Sequence, residues 1–308
     1  PPAERPPLDY ARREIDWIEG LLEDLVSVHH DPAPESRQRV WMAPEHIWTA
    51  SAEGLSRAYD FARRHDAMTT THVSETTHEE QAVGGDHYSM TEYLNKAGYL
   101  GERSLLGHCV HLTERDIQLL KTTDTKVAHN MLSNLALGSG IAPIPTMLNS
   151  GVTVAMGTDN ASCSDTVNML NDIRYAALVQ KGVHEQSDVV SPEAVLEMAT
   201  INAAHAIGRG DDLGSIEVGK KADMIVLDLD CTHTTPHPDT VAAIVYQTQG
   251  PEVETVVCDG EVVVDDRVAT GLDELYDNLT EKATKASKNI TERTGISHVL
   301  EEQAWKSG

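Results

Sequence analysis

The sequence is short of aromatic residues and of positive charge. Aromatic side chains make up 4% of the 308 residues, with a single phenylalanine, so aliphatic side chains and alanine must fill the core. Lysine and arginine number 24 against 49 aspartates and glutamates, which gives a formal net charge of -25. A surface of this sign repels phosphate backbones and anionic lipids, so we expect neither a nucleic acid nor a membrane as partner. Carboxylates dispersed in this way are typical of proteins from salt-accumulating halophiles.

Cysteine is scarce as well, and the four cysteines are widely spaced. No Cys-x-x-Cys pair occurs, which argues against a disulfide scaffold or a cysteine zinc knuckle and favours a reducing cytoplasm. No run approaches the roughly 20 apolar residues of a membrane-spanning helix, and no basic and then apolar leader is present. The chain begins at Pro1 without a methionine, which we interpret as a start that is not the natural one.

Short β-prone runs alternate with helical patterns after an N-terminal helix predicted over residues 8–28. The runs cover residues 39–43, 68–73, 104–110, 126–129 and 152–156. The helical patterns cover residues 51–64, 92–97, 113–120, 144–149 and 165–182. Strands that alternate with helices of this length predict parallel βα units, and therefore an α/β fold.

The pattern changes after residue 210, where short strands with glycine turns predict a small antiparallel β-subdomain. The strands are expected at residues 222–228, 253–258 and 261–264, with a turn at Asp259-Gly260 between the last two. We therefore predict four regions. They are an N-terminal helix and loop (1–37), a βα domain (38–210), a small β-domain portion (211–270) and a helical tail (271–308).

Imidazole and carboxylate side chains follow the predicted strands. They are Glu45 and His46, His72 and Glu75, His108 and His111, His129 with Asn130, and Asp159. The carboxyl ends of barrel strands open onto one face, so these side chains are expected to converge there. One such histidine is most often structural, whereas five strand ends together favour an active site. These donors suit a borderline divalent metal, which lowers the pKa of a bound water to roughly 7.

Several segments, in this order, resemble the amidohydrolase superfamily: residues 71–76, 108–112, 127–130, 133–143 and 157–159. Within it they are most similar to the branch of S-adenosylhomocysteine/methylthioadenosine deaminases, triazine hydrolases and cytosine or guanine deaminases. Residues 214–223 resemble the start of that superfamily's small β-sandwich. The resemblance covers residues 39–264 and implies a partial TIM-type (β/α) barrel, strands four to eight, followed by part of the β-sandwich.

The resemblance also implies roles for individual residues. His72 and Asp159 would bind one divalent metal, zinc in the first place and iron as the alternative. Asp159 would also act as general base, Glu75 would carry a proton to the substrate ring, and His108 would polarise the electrophile. The substrate, a small heterocycle, would contact five further residues: Glu45, His46, His129, Asn130 and Ser133. For His129, a place in the pocket wall and a structural hydrogen bond with Asn130 both stay open. A homodimer is expected because dimers are common among relatives.

The sequence departs from the family pattern in two places. The His-x-His pair of the first barrel strand is absent, and His29, His30, His233 and His237 lie in polar or proline-containing loops, where we expect them to be solvated. The chain is therefore expected to begin just before the fourth strand and to be inactive in isolation. The Pro-His-Ser-Pro turn of adenosine-type members is replaced by Pro-Glu-His-Ile at residues 44–47.

Three functions are compatible with these residues. The first is hydrolytic deamination of an amino-substituted nitrogen heterocycle, which would release ammonia through a metal-bound hydroxide. The second is triazine-type hydrolysis or dechlorination, and the third is an inactive truncated remnant that acts as an interaction module. Glu75 favours deamination because an amino group must be protonated in order to leave, whereas chloride needs no proton.

Overall fold

A computed structural model describes residues 8–33, 35–44, 46–47, 50–79, 89–272 and 278–294. The chain divides into two compact units. The first comprises residues up to 222 together with residues 228–252, and the second comprises residues 223–227 and the chain from residue 253 onward.

The first unit is built on a parallel sheet of four strands. These are β1 (Thr69–Val73), β2 (Ser104–His108), β3 (Lys126–His129) and β4 (Val154–Met156). They pair in the order β1-β2-β3-β4, all parallel, which confirms the predicted alternation of strands and helices. The register sets His72 opposite Gly107 and His129 opposite Met156, so the carboxyl ends of neighbouring strands lie together.

The strand predicted over residues 39–43 is not formed as a regular element. Two isolated parallel bridges take its place, from Met42 to Thr69 and from His46 to His72. Pro44 lies between the two bridged residues and has no backbone N–H, so it cannot continue a hydrogen-bonded ladder. The segment still runs beside β1, and this brings His46 next to His72.

Helices alternate with these strands. In chain order they are α1 (Leu8–His29), α2 (Ala52–Arg64), α3 (Met90–Lys96), α4 (Glu114–Thr123), α5 (Met131–Ala136), α6 (Ile144–Asn149), α7 (Ala161–Ser164), α8 (Met169–His184), α9 (Pro192–Ala199), α10 (Ile201–Ala206) and α11 (Thr240–Gln247). Side-chain caps fix several of their starts: Ser51 caps α2, and Thr113 with Asp116 forms a complete capping box on α4.

The core of the first unit lies between the sheet and the helices, and aliphatic side chains fill it. Val73, Leu106, Val127 and Val154, one from each strand, are completely buried. The one phenylalanine, Phe61 on α2, is also buried. Because the strands are buried along their length, the sheet is a rigid base for the loops that leave its carboxyl edge.

The second unit contains an antiparallel sheet in the order β5-β6-β7-β8. Its strands are β5 (Met224–Leu227), β6 (Val253–Cys258), β7 (Glu261–Asp265) and β8 (Val268–Ala269). Asp259 and Gly260 both have positive φ, 51° and 80°, as expected for the predicted two-residue hairpin. A final helix, α12 (Leu279–Thr294), has no buried residue. No helix in the described part of the chain is both long and apolar enough to span a membrane.

Candidate active site

Three histidines form a row across the carboxyl edge of the parallel sheet. The ring of His72, at the end of β1, lies 4.7 Å from the ring of His46 and 5.2 Å from the ring of His108, measured between centroids. His46 is brought there by its bridge to His72, and His108 by the parallel pairing of β1 with β2. The sheet therefore collects imidazoles from three separate stretches of sequence.

The turns that leave these strands are strained. Ser74, His108, Cys109 and Asp159 all have positive φ, between 50° and 67°. This region is uncommon for residues with a side chain, and it is concentrated at functional sites. The conformation turns the backbone sharply at the strand end, so that the residues after it lie over the sheet edge.

Glu79 holds the turn after β1 in place. This buried carboxylate accepts three backbone hydrogen bonds, from the N–H of Ser74 at 2.7 Å, of Glu75 at 2.6 Å and of Thr76 at 2.9 Å. Burial raises the pKa of Glu79, and the three N–H donors oppose that rise in part. The turn that carries Glu75 is thus fixed by one side chain four residues further on, which the sequence patterns did not single out.

His108 occupies the centre of the site. Its Nδ1 donates to the side-chain oxygen of Asn134 over 2.8 Å, which leaves Nε2 pointing to the open side. This Nε2 lies 3.8 Å from the Oε2 of Glu75 and 3.9 Å from the Oδ2 of Asp159. Both distances exceed a direct hydrogen bond, and contacts of this length often enclose a bridging atom. Both carboxylates therefore approach the same imidazole nitrogen without forming a direct hydrogen bond to it.

Asp159 is oriented by two hydrogen bonds. Ser133 Oγ donates to its Oδ2 over 2.7 Å, and the backbone N–H of Asn160 donates to its Oδ1 over 2.7 Å. Burial on its own would raise the pKa of Asp159. These two bonds, together with His108 and His72, outweigh burial and hold the pKa below its usual range. The side chain is therefore an ionised carboxylate at neutral pH.

Glu75 receives a hydrogen bond from Ser139, whose Oγ donates to its Oε1 over 3.3 Å. The other oxygen of Glu75 faces His108. Ser139 and Asn134 belong to residues 133–143, one of the segments that resemble the family, and their side chains contact Glu75 and His108. Neither was named individually from the sequence, because contacts across 64 and 26 residues leave no local pattern.

His129 and Asn130 lie at the end of β3, and both are buried. Neither ring nitrogen of His129 has a hydrogen-bond partner among the described residues. The side-chain oxygen of Asn130, Oδ1, has none there either. Burial, with a smaller contribution from His108, lowers the pKa of His129 to about 3, so the ring is neutral. The structural hydrogen bond between His129 and Asn130, one of the two interpretations of the sequence, is therefore wrong.

Asp172, on α8, is a further carboxylate that the sequence patterns missed. Its Oδ1 accepts the backbone N–H of Leu132 over 3.2 Å, and its Oδ2 has no partner among the described residues. Burial raises the pKa of Asp172 to about 6, against the effect of the Leu132 bond, and nearby Asp159 raises it further. The side chain thus supports the start of α5, the helix that carries Ser133 and Asn134.

The structure brings together most of the predicted site residues. His46, His72, Glu75, His108, Ser133 and Asp159 are linked by the ring contacts and distances given above. Glu45 lies outside the described residues. No lysine or arginine in the described ranges forms an ion pair with Glu75 or Asp159. Two carboxylates around one imidazole without such a partner suit a cation.

The donor set at this edge fits a divalent metal in kind. His72 and Asp159 offer an imidazole nitrogen and a carboxylate oxygen, donors of the type that zinc accepts. Among the described residues, three His, Cys, Asp or Glu ligand atoms lie within 4.8 Å of one another at Cys231, His233 and Glu252, and not at this edge. The sequence also has no His-x-His pair.

Comparison with known proteins identifies the fold and the family. The profile of the Amidohydrolase family matches residues 5–263. The chain belongs to the amidohydrolase family. It is 41% identical to an S-triazine hydrolase of Gordonia rubripertincta over 276 residues, which are 87% of the chain and 57% of that protein. It is 36% identical to a 5-methylthioadenosine/S-adenosylhomocysteine deaminase of Acetivibrio thermocellus over 245 residues, 79% of the chain and 57% of that protein.

Among solved structures, an adenosine deaminase from Xanthomonas campestris with bound zinc superimposes with a TM-score of 0.81 at 26% identity. The match covers 89% of the chain and 61% of that structure. The amidohydrolase fold of these neighbours, a member of the TIM-barrel superfamily, confirms the predicted α/β class. The chain spans about three-fifths of the length of the relatives it matches.

Proposed function

We propose that this amidohydrolase chain carries the acid–base half of a metal-dependent hydrolytic deaminase. The reaction would remove an amino group from a nitrogen heterocycle of the adenosine, cytosine or guanine kind and release ammonia. The observation that carries the proposal is the position of His108 Nε2, at 3.8 Å from Glu75 and 3.9 Å from Asp159. Hydrolytic proton transfer needs acid–base groups within reach of the reacting atoms, and two carboxylates near one imidazole nitrogen can supply them.

His72 and Asp159 would hold the metal, which we propose is one zinc ion, with iron as the alternative. A bound divalent metal supplies Lewis acidity and lowers the pKa of a coordinated water to roughly 7. Asp159 is suited to accept a proton there because Ser133 and the Asn160 N–H keep it ionised. A zinc-bound adenosine deaminase of the same fold supports the choice of zinc.

Glu75 would carry the proton between water and substrate. Its Oε2 faces His108 and its Oε1 is held by Ser139, so the carboxyl can give a proton to a ring nitrogen or to the departing amino group. His108 would orient the electrophilic carbon with Nε2, while Asn134 fixes its ring through Nδ1. His46, Glu45, His129 and Asn130 would contact or border the substrate.

Triazine hydrolysis is the second candidate function. It is favoured by the 41% identity to an S-triazine hydrolase, a higher value than that to the deaminase compared above. The presence of Glu75 favours deamination, because ammonia leaves only after protonation whereas chloride does not need it. An inactive remnant, acting as an interaction module, would follow from the absent His-x-His pair.

The organisation of the chain forms part of the proposal. We assign residues 38–210 to the barrel, strands four to eight in the family's order, with residues 1–37 as a preceding helix and loop. Residues 211–270 would form part of a small β-sandwich and residues 271–308 a helical tail. We further propose a cytoplasmic enzyme from a halophile, with a homodimer as its assembly.

The test uses the full-length protein loaded with zinc. Ammonia release from a panel of aminopurines and aminopyrimidines is expected, with the Glu75→Gln variant keeping its zinc and losing about 10²–10⁴-fold in kcat. Glu92→Gln is the matched control, because the exposed fractions of the Glu75 and Glu92 side chains are 13% and 14%. Chloride release from chlorotriazines without ammonia would replace deamination by the second candidate. If the zinc-loaded protein shows no turnover, the third possibility, an inactive remnant that acts as an interaction module, is favoured.

The 308-residue chain by itself provides a separate test. It offers His72 and Asp159 as metal donors and contains no His-x-His pair, so we expect poor zinc occupancy and negligible turnover. Zinc content by elemental analysis and ammonia release measure both. Full activity with one zinc per chain would contradict this donor assignment.

A further inference from the structure

A second cluster of metal-binding side chains lies in the first unit and shares no residue with the candidate active site. Cys231, His233 and Glu252 place a sulfur, a ring nitrogen and a carboxylate oxygen within 4.8 Å of one another. Cys231 and His233 form a Cys-x-His pair just after β5, and Glu252 stands just before β6. From the sequence, His233 was expected to be a solvated loop histidine. The structure leaves its side chain 43% exposed, as predicted, and also brings its ring into contact with Glu252.

Glu252 is held by the backbone around it. Its Oε2 accepts the N–H of Gln249 and the N–H of Gly250, each over 2.9 Å, and its side chain is almost completely buried. Its Oε1 is therefore directed to one place, where it contacts the Nε2 of His233. A carboxylate fixed in this way loses little conformational freedom when it binds an ion, because its orientation is set beforehand.

The other two side chains leave a path to solvent. The His233 side chain is 43% exposed, and Cys231 is half-buried. The Sγ of Cys231 lies 3.1 Å from the hydroxyl of Thr234 and 3.8 Å from the carbonyl oxygen of Asp228, both in its own turn. A hydrated ion can reach the cluster from the histidine side and lose water to three protein donors.

We propose that Cys231, His233 and Glu252 form a binding site for a borderline divalent cation such as zinc. Ligand atoms of a tetrahedral zinc site lie roughly 3.3–3.8 Å apart, given bonds of about 2.0–2.3 Å, so separations within 4.8 Å need a small adjustment. Thiolate and imidazole select zinc, cobalt or cadmium over magnesium and calcium, which prefer oxygen. On binding, the ion takes the place of the hydrogen between His233 and Glu252 and of the Cys231 thiol proton, which are released to solvent, and water completes the fourth position.

Such an ion would join two stretches of the first unit. The turn from residue 228 to residue 234 carries the sulfur and the imidazole, and the turn at residues 249–252 carries the carboxylate. Binding to the folded chain stabilises it by mass action, since the three donors are not gathered when the chain is unfolded. The site is therefore structural in kind, and it does not depend on the proposed deaminase activity.

Cobalt(II) gives a specific test, because thiolate coordination produces a sulfur-to-cobalt absorption in the near ultraviolet. The donors proposed for the candidate active site are nitrogen and oxygen, so this absorption reports on cysteine alone. We expect it to saturate at one cobalt per chain, to disappear in Cys231→Ser and to need at least 10-fold more cobalt in His233→Gln. Zinc should displace the cobalt, and magnesium should not. The matched control is Cys258→Ser, which removes another half-buried thiol from the second unit.

His233→Gln keeps the variant set interpretable, because a side chain that is 43% exposed can be replaced with little effect on folding. Thermal unfolding of each variant without metal checks this. With zinc, the wild-type Tm should rise, and the rise should be lost in Cys231→Ser. The proposal is overturned if the absorption is absent from the wild type or survives in Cys231→Ser. It is equally overturned if His233→Gln binds cobalt as tightly as the wild type.

Discussion

Replacing Glu79 by glutamine tests how the turn that carries Glu75 is held. The buried carboxylate of Glu79 accepts the N–H groups of Ser74, Glu75 and Thr76 at 2.6–2.9 Å. Its Oε1 takes two of these bonds and its Oε2 the third. In Glu79→Gln, the amide oxygen still accepts the N–H groups of Glu75 and Thr76, but as a neutral acceptor. The amide nitrogen faces the N–H of Ser74, and because both groups are donors they form no hydrogen bond.

The size of the effect follows from these three bonds. A hydrogen bond to a charged acceptor contributes about 1.5–3 kcal/mol and a neutral one about 0.5–1.5 kcal/mol, so each retained bond weakens by about 1 kcal/mol. The N–H of Ser74, a residue that is 4% exposed, is left unsatisfied at a cost of about 1–3 kcal/mol. Removing a buried charge returns part of this, since burial raises the pKa of Glu79. We expect a net loss of about 2–4 kcal/mol in the free energy of unfolding.

Two measurements separate stability from positioning. Urea unfolding gives the loss in stability, and kcat of the zinc-loaded protein reports on Glu75. Because a loose turn displaces Glu75, kcat should fall by at least 10-fold while KM and zinc content change little. Glu92→Gln is again the control, because Glu92 accepts the N–H of Ser89 in the capping box of α3 and pairs with Arg115. It should cost about 1 kcal/mol and leave kcat unchanged.

The outcome for Glu79 can contradict the reasoning in two ways. If Glu79→Gln unfolds at the same urea midpoint as the wild type, the three hydrogen bonds contribute no more to stability than the burial of the charge costs. A kcat loss that accompanies Glu92→Gln to the same extent would mean that the active site responds to general loosening and not to the turn at Glu75.

Three more predictions follow from the structure. Ser133→Ala removes the 2.7 Å hydrogen bond that orients Asp159, so zinc affinity should fall about 10-fold in a competition titration. Ser139→Ala removes the hydrogen bond to Glu75, so it should lower kcat and leave zinc binding unchanged. Burial lowers the pKa of His129 to about 3, so below pH 6.5 the unfolded chain takes up a proton that the folded chain does not. Between pH 6.5 and 4.5 the wild type should therefore lose about 2.5 kcal/mol more of its free energy of unfolding than His129→Gln does. If urea unfolding gives both proteins the same dependence of stability on pH, His129 is not the buried neutral imidazole described here. The net charge of -25 implies repulsion between surface carboxylates, and salt weakens it by shortening the screening length from about 10 Å at 0.1 M to about 3 Å at 1 M. The Tm should therefore rise with the concentration of potassium chloride. A Tm that does not change would count against the halophile interpretation.

The elements that the sequence predicted best are those with local signals. Helix α6 has the predicted bounds, Ile144–Asn149, and α4 has its N-cap at Thr113, where the predicted helical pattern begins. The four parallel strands were found because each is a short β-prone run that alternates with a helical pattern. The segment at residues 39–43 differs because a proline next to the run interrupts the ladder, a local effect that apolar content alone does not register.

The site was predicted as a set of strand-end residues but not as a network. His72, Glu75, His108 and Asp159 could be named because each follows a strand, and the carboxyl ends of parallel strands share one edge. The hydrogen-bond partners that orient these four side chains could not be identified in the same way. His30 shows the same limit: expected to be solvated, it donates to the carbonyl oxygen of His65 and accepts the N–H of Val40. Such bonds join distant stretches of sequence, and periodicity contains no information about them.

The strained strand ends connect the fold to the chemistry. Ser74, His108 and Asp159 adopt a left-handed backbone that costs of order 1 kcal/mol or more at each non-glycine residue, and glycine would relieve it. At His108 and Asp159 the side chain at the strained position is itself the functional one, so glycine would remove the chemistry along with the strain. At Ser74 the strain lies directly before Glu75 and is held by Glu79. The cost therefore persists where the rigid sheet and the surrounding hydrogen bonds can offset it, and that is the edge where two carboxylates approach one imidazole nitrogen.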